Sequence, residues 1–112
     1  MRMWNVNPEL MCRKHLLGEH VEMHMFLGTL HHGKSLDGYI RKGLVEVHNI
    51  KLRHDELVRE MVRRGHQHNS PMEDSILLQK MGSVDVKRSY EELRSRCTEC
   101  RRRFEKMTDV RF

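Results

Sequence analysis

The strongest constraint on this chain is a spacing. Val86, Tyr90, Leu93, Cys97, Cys100, Phe104 and Met107 recur at intervals of 4, 3, 4, 3, 4 and 3. Only a helix brings such positions onto one side, and a seam of this kind packs against another helix. The spacing predicts one unbroken helix from about Asp85 to Met107.

The remaining patterns are helical too. Asn7 is a good N-cap and Pro8 suits a first helical position, so a helix is expected from there to about Leu30, with Gly33 past its end. Leu10, Leu17, Val21 and Met25 share a stripe along it. A second helix is expected from Val47 or Asn49 to Arg64, burying Ile50, Leu57, Val58, Met61 and Val62 and stopping at Gly65. Ser70-Pro71-Met72-Glu73 reads as a capping box that opens a short helix through Leu77 and Met81, closed by Gly82. Residues 31–45 read as a loop, with turn signals at Gly33, Asp37-Gly38 and Gly43 and cations at Lys34, Arg41 and Lys42. No segment alternates like a strand. The expectation is one all-α domain over residues 1–112, with three main helices and a short one.

Composition narrows the function classes. Only 38 % of the 112 residues are apolar and six are aromatic, so the core is thin and a deep, enclosed catalytic cavity is not expected. A groove or a basic face fits better. The formal charge of +5 favours an anionic partner, nucleic acid before an anionic membrane. No stretch is long and apolar enough to span a bilayer, and the first residues lack a signal-peptide core. Three cysteines make no disulfide framework, which points to a reduced, intracellular setting.

Several residues invite chemistry. Cys97-Thr98-Glu99-Cys100 is half of a zinc motif, but both thiols lie on the apolar seam, and burial there is the simpler reading. His20 and His24 have the spacing of a metal clamp, yet Val21 stands where a metalloprotease helix would carry its glutamate. Neither a metal nor another cofactor is therefore expected. His15 and Glu22 are two helical turns apart, with Gly18 between them on the same face. Glycine inside a helix costs about 1 kcal/mol relative to alanine, so something favours it: close packing, or a notch for a substrate beside an acid–base pair. Arg101-Arg102-Arg103 is a run of three cations that suits phosphate or plain solubility. A chain-terminal amine titrates at about 7.7–8.0, so much of it is a free nucleophile near neutrality.

Arg13-Lys14-His15-Leu16-Leu17-Gly18-Glu19-His20-Val21-Glu22 resembles the first-helix motif of the pyrimidine-dimer DNA glycosylases, small ultraviolet-repair enzymes of the phage endonuclease V type. Arg53-His54-Asp55-Glu56-Leu57, with Glu60-Met61-Val62-Arg63-Arg64-Gly65, resembles their second conserved helix, and His68-Asn69-Ser70-Pro71 continues the match. The resemblance spans roughly residues 1–72 and implies an all-α fold. It also implies a glycosylase and AP-lyase acting on cyclobutane pyrimidine dimers, in which the first residue's α-amine forms a Schiff base with the sugar. Aligned without gaps, Met1 falls on that nucleophile and Glu22 on the assisting glutamate. Arg2 and His15 match residues that position the DNA, and Arg2 is too large for the usual removal of Met1. Gly18, Lys34, Arg63, Arg64, Arg101 and Arg102 complete the expected DNA contacts. The implied partner is damaged duplex DNA, met by a monomer with no membrane and no cofactor, in the cytoplasm of a bacterium or phage-infected host.

The chain departs from the family where arginines normally flank the catalytic glutamate: Val21 and Met25 stand there. The aromatic, basic C-terminal tail is also absent. These departures leave open a non-catalytic member that binds DNA or protein, and the cysteines leave open a small zinc-binding protein.

Overall fold

The fold is built around one buried ion pair. Glu19 and Arg53 are 1 % and 2 % exposed, and they meet in a two-pronged contact, Nε to Oε2 at 2.6 Å and Nη2 to Oε1 at 2.9 Å. This joins the two longest well-packed helices, α1 (Arg13–His31) and α3 (Ile50–Arg63). Arg53 also donates to the Val6 carbonyl at 2.8 Å, contacts Glu56 and lies against Met11 Sδ at 3.5 Å. The Trp4 N–H donates to Glu19 at 3.1 Å. The N-terminal segment is thereby clamped over both helices.

The computed structural model describes residues 1–72 and 78–111. Among them the order is a 3-10 turn (Pro8–Leu10), α1, a short α2 (Asp37–Arg41), a second 3-10 turn (Val47–Asn49), α3, α4 (Val86–Arg96) and α5 (Thr98–Arg111). No strand occurs among the described residues. The all-α expectation holds, and four of its details change.

The first helix begins at Arg13, later than the Asn7 signal suggests. Asn7 instead caps the 3-10 turn by accepting from the Glu9 N–H. Met11 is extended and fully buried, and Cys12 becomes the N-cap, its sulfur accepting from His15 N–H. Burial of Met11 and Cys12 draws the backbone out of helical geometry there.

The region read as a loop contains α2. Ser35 Oγ accepts from the Asp37 N–H, and Leu36 and Tyr39 pack inward, Tyr39 edge-on to Phe26 at 5.2 Å. Asp37-Gly38 therefore starts a helix, while Gly43 ends it with φ at 69°. The second helix runs as expected, with Gly65 at φ 91° after it. Its inner face is more polar than the apolar count implied. Val62 is exposed, and Arg53, His54 and Glu60 are buried.

The expected helix after Ser70 is absent from residues 70–72 and 78–82, and its middle, residues 73–77, lies outside the described residues. Gly82 is required by its surroundings. With φ at 89°, a Cβ there would stand 2.2 Å from the Val45 carbonyl oxygen. The long C-terminal helix is in fact two. Cys97 is extended (φ −125°, ψ 113°) and separates α4 from α5. Leu93, Cys100 and Phe104 still face the core, whereas Val86 is 40 % exposed.

Removing one member of a buried ion pair strands the other charge, at about 3–5 kcal/mol. Arg53→Ala is expected to lower the unfolding free energy in urea by an amount in that range. A loss of only ~0–1 kcal/mol, as for a surface pair, contradicts this assignment.

Candidate active site around the N-terminus and the first helix

The ion pair sets where the chain begins. Trp4 is held on Glu19, and Met3 N–H donates to the Leu44 carbonyl at 2.7 Å. The two preceding residues then lie one helical turn further along α1, beside Glu22. The Arg2 N–H donates to Glu22 Oε1 at 2.7 Å, and the Met1 amine stands 3.9 Å from the same oxygen. Both Met1 and Glu22 keep part of their surface in solvent.

Gly18 lies one turn before Glu22. A Cβ built there would meet only Glu22 Oε2, at 3.9 Å. Helix packing therefore does not demand this glycine. It leaves a shallow notch over the carboxylate, open to an incoming backbone. A primary amine and a carboxylate on the rim of such a notch can perform nucleophilic attack and proton transfer together.

The other expected site residues divide. Arg2 turns its side chain away from the notch. Its guanidinium stacks over the Trp4 ring at 3.7 Å and reaches Glu92 at 2.5 Å and Ser89 at 3.4 Å, so it ties the N-terminus to α4. Its contribution next to Glu22 is the backbone N–H. Arg64 is largely covered, bonded to Glu60 and to the carbonyls of Pro8 and Met11. That is a structural employment. Lys34, Arg63, Arg101 and Arg102 are exposed, with Arg63 paired to Glu60 and Arg102 to Glu99. Val21 and Met25, on α1 beside Glu22, are 53 % and 50 % exposed.

His15 faces a group of thiols. Its Nδ1 is 3.2 Å from Cys12 Sγ and 3.8 Å from Cys100 Sγ, with Cys97 Sγ 3.8 Å from Cys12 Sγ. Burial and the charge of Lys14 lower the His15 pKa, against an opposing pull from Glu22. Burial raises the Cys100 thiol to about 12. At Cys97 burial is outweighed by hydrogen bonds from Cys100 and Cys12, and the pKa falls.

A second group is made of imidazoles. His20 and His24 of α1, His54 of α3 and His68 gather with their ring centroids 4.7–5.3 Å apart in the contacting pairs. His20 Nε2 and His68 Nε2 are 3.1 Å apart, and His54 sits between Asp55 Oδ1 and the Ser70 carbonyl. His24 Nε2 is buried with no hydrogen-bond partner among the described residues. Each of the two groups offers four ligand atoms within 4.8 Å of one another, enough to hold a metal ion. Sequence reasoning takes the pairs Cys97/Cys100 and His20/His24 singly. It misses that Cys12-x2-His15 repeats the Cys97 spacing, and nothing local signals that His54 and His68 join the other pair.

Gly18→Ala is expected to raise helix stability by up to about 1 kcal/mol while filling the notch. Thermal melting should show a protein at least as stable as the parent, and cleavage of the substrate should slow. A destabilised Gly18→Ala would mean that packing, not access, selects the glycine. A further expectation concerns acid. Burial, reinforced by the neighbouring His54, His24 and His68, depresses His20 to about 4. The unfolded chain thus takes up protons first as pH falls. The stabilising contribution is complete above about pH 6.5 and declines toward pH 4. Melting temperature should already fall between about pH 6.5 and 5, above the ordinary carboxylate range, and less so in His20→Asn. A flat profile over that interval contradicts the reading.

Comparison with known proteins identifies a family. The sequence model of the family described as pyrimidine dimer DNA glycosylase matches residues 1–74. No curated protein and no solved structure matches the chain. The matched part contains Met1, Gly18 and Glu22 together with the whole histidine group, and stops before α4 and α5. With two thirds of its length matched, the chain belongs to the pyrimidine dimer DNA glycosylase family.

Proposed function

We propose that this chain is a DNA glycosylase with AP-lyase activity on cyclobutane pyrimidine dimers in duplex DNA, using the Met1 α-amine as nucleophile and Glu22 as its acid–base partner. One observation carries the reading: the terminal amine lies 3.9 Å from one oxygen of the Glu22 carboxylate, whose other oxygen is the one atom near a side chain built at Gly18.

These two groups supply the chemistry. The neutral amine attacks C1′ of the damaged nucleotide. The C1′–N bond breaks, and the base leaves with its electron pair and takes a proton. Opening of the sugar ring then converts the adduct to an imine, with O4′ receiving a proton. Glu22 stabilises the positive charge that develops on the sugar and carries the protons between amine and O4′. In the lyase step a proton leaves C2′ and the 3′ C–O bond breaks, releasing the phosphate strand. Water then hydrolyses the imine and restores the amine. No deep cavity is needed, because the DNA forms the other wall.

Arg2 contributes its N–H to Glu22, holding one oxygen of the carboxylate in place. The exposed cations Lys34, Arg63, Arg101 and Arg102 are the proposed phosphate contacts of a monomer on duplex DNA. Binding through them weakens as salt rises. A lesion also lowers the cost of kinking the duplex and extruding a base. No described helix is long and apolar enough to cross a membrane.

A second reading rests on Val21 and Met25. These exposed apolar side chains replace two cations next to Glu22 and suit a family member that binds DNA or protein without cleaving it.

Cleavage of dimer-containing duplex DNA separates the two. Glu22→Gln is expected to bind the duplex as the parent does and to cut it at least ~10²-fold more slowly, the scale of a lost acid–base group. Acetylation of the Met1 amine should abolish cutting. Equal rates for the blocked and free proteins would refute the amine assignment, and an inactive parent that still binds would establish the second reading.

A further inference from the structure

We propose that Cys12, His15, Cys97 and Cys100 form a closed, structural zinc site that fastens the C-terminal helices to the start of α1. The inference concerns residues outside the amine–Glu22 pair and stands independently of the proposed activity.

The distances are those of a single tetrahedral ion. Zinc–sulfur bonds of about 2.3 Å and zinc–nitrogen bonds of about 2.0–2.1 Å put neighbouring ligand atoms roughly 3.5–3.8 Å apart. The observed separations are 3.8 Å for Cys12 Sγ to Cys97 Sγ, and 3.2 and 3.8 Å from His15 Nδ1 to Cys12 and Cys100. All four ligand atoms fall within 4.8 Å of one another. Such a set encloses one ion. All three cysteines are free, with no pair of these sulfurs at the roughly 2.05 Å of a disulfide.

Hydrogen bonding gives a second, separate argument. Each of the three sulfurs receives one backbone N–H: Cys12 Sγ from His15, Cys100 Sγ from Cys12, and Cys97 Sγ from Cys100, at 3.3–3.4 Å. Oriented N–H groups aimed at sulfur are the outer shell that supports a metal-bound thiolate. As neutral thiols the same sulfurs carry three S–H donors, and within the group only His15 Nδ1 is a good acceptor for them. Zinc uptake resolves this mismatch by releasing three protons and engaging all four lone pairs. Three thiolates and an imidazole select zinc among common divalent ions, and four protein ligands leave no open coordination position. The role is therefore structural.

The backbone is shaped for it. The extended residue Cys97, which breaks the helical seam, lets Cys97 and Cys100 turn toward one point. Cys12 and His15 present the same spacing from the N-terminal turn of α1. An ion there links positions 85 residues apart. It joins the part matched by the family to helices beyond that match.

Cobalt(II) substitution tests the site in the full-length protein. Wild-type protein loaded with cobalt should show the intense near-ultraviolet thiolate-to-cobalt absorption of a tetrahedral site, and zinc should displace it. Cys97→Ser, left with two thiolates and one imidazole, should lose the ion and with it that absorption, and His24→Ala should keep it. Zinc content by elemental analysis should fall by one equivalent in Cys97→Ser, whatever the histidine group binds. The cysteines of the native zinc protein should resist a thiol reagent until a chelator is added. A folded wild-type protein with no thiolate–cobalt absorption overturns the proposal. So does a Cys12–Cys97 disulfide in the freshly purified protein, or a band that persists at full strength in Cys97→Ser.

Discussion

The contact between Glu19 and Arg53 determines where everything else lies. Two charges removed from water are costly, and they persist together only because each is fully bonded. Arg53 reaches the Val6 carbonyl and Met11 as well as Glu19, and Glu19 receives the Trp4 N–H. The N-terminal segment, α1 and α3 are thus fixed to one salt bridge. Burial pressing against the Arg53 charge is outweighed by Glu19 and Glu56, which raise its pKa further. A terminal amine is ordinarily the freest part of a chain. Here residues 2 to 4 are bonded to α1 and to Leu44, so the amine is delivered to Glu22, three residues after Glu19 on the same helix. Placement of the proposed nucleophile is thus a consequence of core structure.

This small chain reaches stability by unusual means. Its apolar content is low, and much of the space between helices is filled by methionine, histidine and cysteine. Glu46 shows the same economy. Its carboxylate accepts from Asn5, Asn49 and the Val84 N–H, fastening the N-terminal segment, the start of α3 and the chain before α4 at one point. Those hydrogen bonds outweigh burial and keep its pKa below the ordinary value. Polar groups that are satisfied by several elements at once specify one arrangement where a thin apolar core would tolerate several.

Much of this is legible in the residues. The helical class, the end of α3 at Gly65 and the Gly18/Glu22 face come from period and turn chemistry, which are local. The family motifs by themselves assign Met1 and Glu22 to one site. What escapes is non-local. Asn7 and Pro8 are a genuine capping signal, but it serves a 3-10 turn because Met11 and Cys12 are pulled inward by partners far along the chain. The C-terminal seam keeps its period through Cys97, so nothing in the spacing announces the break that turns two thiols toward Cys12 and His15. A hydrophobic count likewise cannot show that Arg53 and His54 line the inside of α3, since Glu19 and the Ser70 carbonyl, which satisfy them, come from elsewhere in the sequence.

The identity of the atom that bonds to the DNA decides the proposed mechanism. Borohydride reduction of the protein on a duplex containing an abasic site traps any imine as a stable amine. Proteolysis and mass spectrometry then locate the attachment. The expected product is a covalent complex whose modified peptide carries the DNA remnant on the α-amine of Met1. Attachment at a lysine side chain, or no complex from a protein that binds the duplex, would contradict the mechanism.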